Sequence, residues 1–207
     1  MSSLRMTAIA AALCLGAGIA PAATILLPLN GDGDGDSSDG FASLNTVWTI
    51  RNFLTARLGG GSEERIILKF DATAIPDGAT VTDVTLFLEG IEANFNIGVH
   101  FFPTGASGGI GLADFQVENE IATFDPEIGP NIVPLNDPGF LDGLDLVDHI
   151  GLQLRELLAD EITIFESSEG GGTATGPRLQ VTFQEIPLPA SLPLLLAGLG
   201  ALALRRR

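Results

Sequence analysis

Apolar and polar positions along the middle of the chain change over in short runs. Thr24 to Leu29, Val47 to Phe53, Ile66 to Phe70, Asn96 to Phe102, Glu161 to Phe165 and Leu179 to Phe183 are apolar stretches bounded by Gly, Pro or Asp, the signature of short strands. The clearest is Val81 to Glu89, with Val84, Leu86 and Leu88 on one face and Thr85, Phe87 and Glu89 on the other. Period two over that length predicts a half-buried strand. Ile75-Pro76-Asp77-Gly78 precedes it, and Pro at the second position with Gly at the fourth predicts a type I turn. One segment departs from the pattern. From Asp142 to Asp160, Leu144, Val147, Ile150, Leu154, Leu157 and Leu158 recur at helical spacing, with Asp145, Asp148, Arg155 and Glu156 between them. That spacing predicts one short amphipathic helix, which Gly151 weakens by about 1 kcal/mol relative to Ala. The stretch Gly105 to Asp137, rich in Gly, Pro and Asp, has no clear element boundaries. Short strands at roughly ten-residue spacing, with one helix, predict a mainly β fold, an antiparallel β-sandwich.

The two ends read differently. Residues 1–23 carry Arg5, then the apolar run Ala8 to Ala20, and close on Ala20-Pro21-Ala22-Ala23. A positive start, a short apolar stretch and small residues at the −3 and −1 positions describe a secretory signal peptide, which engages the Sec machinery and signal peptidase. Cys14 follows Leu13, where a lipoprotein signal would want a small residue. At the other end, Ile186 to Leu204 are nineteen residues without a charge, followed by Arg205, Arg206 and Arg207. That is about one hydrocarbon thickness as a helix. The arginines stay cytoplasmic by the positive-inside rule, which leaves the preceding domain outside.

Ile186-Pro187-Leu188-Pro189-Ala190, the Leu/Ala/Gly-rich span and the terminal arginines together resemble the VPLPA variant of the PEP-CTERM sorting signal of Gram-negative bacteria, with Ile186 in place of the usual Val. The resemblance implies an inner-membrane precursor, processing by an exosortase near the proline motif, and delivery to the cell surface or extracellular matrix. It also implies an association with exopolysaccharide. The chain then divides into 1–23, a domain over 24–185, and a sorting segment over 186–207.

Composition sharpens this division. The whole chain has 26 Asp and Glu against 10 Lys and Arg, a net charge of −16, yet a mean hydropathy of +0.35. Removing the two ends removes four bases and no acid, so the domain holds 26 acids against 6 bases. Hydrophobicity belongs largely to the ends and acidity to the domain. So acidic a domain cannot neutralise a run of phosphates, which excludes a nucleic-acid binder. A single cysteine excludes a disulfide framework.

The domain carries a second resemblance. Glu64-Arg65-Ile66-Ile67-Leu68-Lys69-Phe70-Asp71, the stretch from Ile75-Pro76-Asp77-Gly78-Ala79-Thr80-Val81 to Leu86-Phe87-Leu88, and Gly176-Pro177-Arg178-Leu179-Gln180-Val181-Thr182-Phe183 are together similar to the DNRLRE-type domain, although the namesake hexapeptide is absent. The resemblance implies a jelly-roll β-sandwich related to carbohydrate-binding modules.

Candidate chemistry is sparse. In Asn30-Gly31-Asp32-Gly33-Asp34-Gly35-Asp36-Ser37-Ser38-Asp39-Gly40, alternate carboxylates in a Gly-rich loop can converge on Ca²⁺, which wants six to eight oxygens. Asp32, Asp34 and Asp36 are the candidate ligands. The loop is not an EF-hand, because Phe41 stands where the twelfth-position Glu is required. Gly59-Gly60-Gly61 lacks the Lys-Ser/Thr of a phosphate loop, and Ser62-Glu63-Glu64 would repel phosphate. His100 and His149 are the only histidines and read as surface or edge residues, so a nucleophilic triad has no support. Sugar binding favours flat aromatic faces. Trp48 is the only Trp or Tyr and fits a core position equally well, whereas Phe101 and Phe102 point to opposite faces and leave one free to be exposed. The expectation is a non-enzymatic exported protein that binds exopolysaccharide with Ca²⁺ assistance. A structural module that binds other proteins, and a carbohydrate-active enzyme, are the alternatives.

Overall fold

The computed structural model describes residues 21–27, 29, 39–43, 46–48, 53–59, 62–94, 96–103, 119–142, 144, 147–167 and 176–185. Twelve strands follow in order: β1 (Ala22–Leu27), β2 (Asp39–Ser43), β3 (Thr46–Trp48), β4 (Phe53–Gly59), β5 (Ser62–Asp71), β6 (Thr80–Glu92), β7 (Ile97–Pro103), β8 (Glu120–Phe124), β9 (Gly129–Pro134), β10 (His149–Glu156), β11 (Glu161–Glu166) and β12 (Arg178–Gln184). One short helix, α1 (Pro138–Leu141), lies between β9 and β10. The unit Ala22–Gln184 is compact. Among the described residues no helix is long and apolar enough to cross a membrane. Residues 1–20 of the signal-peptide reading over 1–23, and the sorting segment over 186–207, lie outside the described residues, while Ala22 and Ala23 belong to β1.

The strands form one curled antiparallel sheet in the order β1-β12-β6-β11-β4-β5-β10-β7-β8, with β9 added to β6, β2 to β5 and β3 to β2. The curl is built on the two long strands. β5 pairs β4 through residues 62–64 and β2 through 65–68 on one edge, and β10 on the other. β6 pairs β12 and then β11 on one edge, and β9 on the other. Each long strand is thereby shared between two groups of neighbours. A single core cluster results, with Leu27, Leu54, Phe70, Leu86, Val99, Val133, Leu152, Phe165 and Val181 among its members.

The alternation read along β6 holds: Val84, Leu86 and Leu88 are buried, while Thr85, Phe87 and Glu89 are partly exposed. Two register shifts modify it. Thr182 pairs Asp83 and Phe183 pairs Val81, which leaves Thr82 extra. Ile164 pairs Glu92 and Phe165 pairs Gly90, which leaves Ile91 extra. Such bulges bend the strand and shift its pleat. Val81 and Val84 are therefore both buried despite their odd spacing, and Ile91 is exposed.

Three sequence expectations are corrected. The helix over Asp142 to Asp160 is absent, and β10 occupies its second half. β10 is a central strand between β5 and β7, buried on both faces. Ile150, Leu152 and Leu154 face the core at period two, while the apolar residues around them imitate a helical stripe. A strand buried on both faces loses the alternation that would identify it. The helix that forms is one turn long, with Asp137 Oδ1 accepting the Phe140 N–H at 3.0 Å and Pro138 in the first turn, a regular start signal. The turn before β6 is displaced by one residue. Pro76 C=O accepts the Ala79 N–H at 3.0 Å and Gly78 takes φ +75°, so Gly stands third, as a type II turn requires. Finally, the described residues of the run Val47 to Phe53 fall in two strands with different partners, β3 ending at Trp48 and β4 beginning at Phe53.

β2, β8 and β9 have no counterpart in the sequence reading. β9 contains Pro130 and Pro134, which cannot donate to a ladder. Its one described neighbour is β6, so the prolines sit on an edge strand, where they are tolerated.

Candidate functional site

Where β9, β6, β12 and β1 lie side by side, the residues alternating with the core form an outer face in register. Thr24, Thr182 and Asp83 make one rank, Leu26, Gln180, Thr85 and Pro134 a second, and Arg178, Phe87 and Ile132 a third. Ranks on one face of a strand repeat every two residues, about 6.5 Å apart. The Arg178 guanidinium stands over the Phe87 ring, 5.6 Å from its centre. Thr24 and Thr182 hydroxyls lie 3.0 Å apart, the Thr85 hydroxyl donates to Asp83 at 3.3 Å, and Asn136 Nδ2 donates to Asp83 at 3.0 Å. Leu26 is 56% and Ile132 67% exposed. The face mixes hydroxyls, an amide and a guanidinium with one aromatic ring and two exposed aliphatic side chains. Such a surface can hydrogen-bond a polyol while covering its apolar C–H patches.

The other side of the β5–β10–β7–β8 group carries a contrasting layer. Ile67, Gln153, His100 and Glu120 stand directly opposite one another across four strands. Arg65 donates to Gln153 Oε1 at 3.1 Å and to Glu63 Oε1 at 2.7 Å. His100 Nε2 lies 3.7 Å from Glu120 Oε2. Arg65, Lys69, His100 and Gln153 are all buried, so both faces of β5 and β10 are covered. A buried polar group costs free energy unless it is hydrogen-bonded. Its buried members brace the sheet from within, and Glu120, with its side chain 43% exposed, is where the layer meets the surface. His100 is thus neither a surface nor an edge residue, contrary to the sequence reading.

A third polar group sits at the end of β10. Glu156 is buried, with Oε1 accepting the Thr163 hydroxyl at 2.5 Å and Oε2 without a hydrogen-bond partner. Burial is the main cause that pushes its carboxyl up to about 7; the Thr163 bond opposes this and the like charge of Glu161 adds to it. At the end of β5, Asp71 is held below the usual carboxylate range, first by the Thr73 hydroxyl at 2.6 Å, then by the Thr73 N–H at 2.9 Å. His149, opposite Asp71 in the register, adds a smaller pull.

The sequence-predicted residues fall as follows. Asp32, Asp34 and Asp36, the sorting-motif residues Ile186 to Ala190, and Arg205 to Arg207 lie outside the described residues. Asp39 and Gly40, the end of the acidic stretch, belong to β2 and pair with Leu68 and Ile67. Trp48 ends β3 opposite Phe41; its side chain lies outside the described set. Phe101 packs edge-on against Phe140 at 5.0 Å, and Phe102 is 8% exposed on the opposite face, so neither ring is an exposed platform. Among the described residues no group of three or more His, Asp or Glu is placed to hold a metal ion. Sequence reading missed Arg178 and Gln180 as surface partners of Phe87. Their signal was the alternation in Arg178 to Phe183, with polar residues at even positions. Comparison with known proteins adds no identification: no protein-family model matches the chain, and no curated protein matches it.

Proposed function

We propose that the chain is an exported, non-enzymatic cell-surface or matrix protein whose domain is a jelly-roll-like sandwich that lays an exopolysaccharide across the outer face of β9–β6–β12–β1. The observation that carries this reading is the register of the partly exposed Phe87, Arg178, Gln180, Thr85 and Thr182 on neighbouring strands. A hydrogen-bonding face spread over four strands suits an extended chain of sugars better than a small molecule, which prefers a concave site. The jelly-roll reading is supported by the antiparallel order, in which most neighbours are distant in sequence and the first strand pairs the last. The address is supported by the signal-peptide pattern of 1–23 and by the sorting motif, span and arginines of 186–207. The route therefore runs through the Sec machinery, signal peptidase, the inner membrane and an exosortase. With 26 acids against 6 bases in residues 24–185, the domain favours an uncharged polysaccharide, or an acidic one bridged by Ca²⁺ at Asp32, Asp34 and Asp36.

Affinity electrophoresis through gels containing neutral or acidic exopolysaccharide, with Ca²⁺ or with a chelator, tests the proposal. The wild-type chain is retarded. Phe87→Ala combined with Arg178→Ala weakens retention about 30-fold or more, from the loss of ring contact and charge-assisted hydrogen bonds. Chelator, or replacement of all three aspartates by Ala, weakens retention on the acidic gel alone. Unretarded migration in every gel overturns the binding proposal, and release of reducing ends from the polysaccharide overturns the non-enzymatic one.

A further inference from the structure

Glu156 plays no part in the proposed ligand face, yet it is the described carboxyl with the most unfavourable surroundings. It ends β10, opposite Ile97 of β7, and only 2% of it is exposed. The Thr163 hydroxyl that donates to its Oε1 also accepts the Asn94 N–H at 3.3 Å. Asn94 Nδ2 donates to the Ile162 carbonyl, and the Leu157 N–H donates to the Asn96 carbonyl at 3.0 Å. These bonds tie the β10–β11 hairpin to the connection between β6 and β7, with Glu156 at the centre.

We propose that Glu156 is a proton-operated latch, which holds the β10–β11 hairpin against the β6–β7 connection while its carboxyl is neutral and releases it when the carboxyl ionises. A neutral carboxyl can stay buried with a single partner. A carboxylate there leaves its charge on Oε2, which has no donor, and burying an unpaired charge is the costlier state. Swinging the side chain out relieves that cost but removes the Thr163 partner, and with it the support for Asn94. The groups around it do not compensate the charge. β11 presents Glu161, a like charge. β7 presents Ile97, and the connection presents the uncharged Asn94 and Asn96. Arg155 on β10 alternates to the other face, Arg57 of β4 pairs Ile162, and Glu92 of β6 pairs Ile164, each out of phase with Thr163. Asp125 accepts the Asn96 N–H at 3.1 Å, one layer further out.

The direction of the effect follows from linkage. The folded carboxyl titrates near 7 against an ordinary value of 4.5. The folded chain therefore binds the proton more tightly, and this contribution is complete below the unfolded value and lost as pH rises through about 7. Amide exchange of the full-length chain at pH 5.5 and 8.0, corrected for intrinsic chemistry, is the test. Protection of the Asn94 and Leu157 amides is expected to fall by about tenfold or more at the higher pH, while Glu156→Gln keeps it constant. Equal loss in wild type and Glu156→Gln, or no loss in either, overturns the latch. If the variant does not fold, titration of the wild-type Glu156 carboxyl carbon decides alone. A midpoint near 7 supports the latch, and one in the ordinary carboxylate range overturns it.

Discussion

Replacing Phe165 by Ala lowers the free energy of unfolding by about 3–5 kcal/mol, the range for deleting a fully buried aromatic ring. Phe165 is 0% exposed and stands opposite both Leu54 of β4 and Gly90 of β6. Its ring also lies 6.2 Å from that of Phe124. It therefore fills the core where β11 passes between β4 and β6, and its removal leaves a cavity among the cluster's buried residues. Typical domains hold about 5–15 kcal/mol in total, so this single change uses a large fraction of the stability. Urea denaturation should show the midpoint falling at unchanged slope. Ile132→Ala, at a site 67% exposed, is the control and should stay within about 0.5 kcal/mol.

Gly90→Ala is expected to cost about 2–4 kcal/mol by a different mechanism, overpacking against backbone. A Cβ at position 90 would overlap the Glu127 carbonyl oxygen and crowd Asn131 Nδ2 at 3.1 Å. The obstacle cannot step aside easily. Asn131 Oδ1 accepts the Glu127 N–H at 2.8 Å, while its Nδ2 donates to the Glu127 and Gly129 carbonyls at 2.8 and 2.9 Å. The turn into β9 is clamped from both sides, and an extra methyl must break the clamp or move β6. Thermal unfolding should therefore show a loss comparable to that of Asn131→Ala, which removes the clamp itself. Because Gly90 and Phe165 are direct neighbours, the Phe165→Ala/Gly90→Ala double variant should not be the sum of its parts.

What could be read in the sequence depended on how many faces a strand buries. β6, with one face in the core and one in solvent, was legible down to individual residues. β1, β5, β7, β11 and β12 were found from their apolar runs, within a few residues at their ends. β10 was not, because Gln153 is buried opposite His100 and Ile67, so polarity no longer marks the exposed face. β9 was hidden by Pro130 and Pro134, which only its edge position makes acceptable. The proposed ligand face was half visible. The outward side of β6 was read correctly, but pairing with Arg178 and Gln180 is a long-range fact that no local pattern contains. The buried polar layer was less accessible still, since it joins residues from β5, β7, β8 and β10. Glu156 was taken for a polar position on a helix, and its burial follows only from the strand that replaced that helix.

The most direct test of the proposed ligand face is amide chemical-shift mapping of the full-length chain titrated with soluble exopolysaccharide. Shifts are expected to cluster on Thr85, Phe87, Arg178, Gln180 and Thr182, and to vanish in the Phe87→Ala/Arg178→Ala variant. Shifts centred elsewhere, or none at saturating polysaccharide, would contradict a binding face on β9–β6–β12–β1.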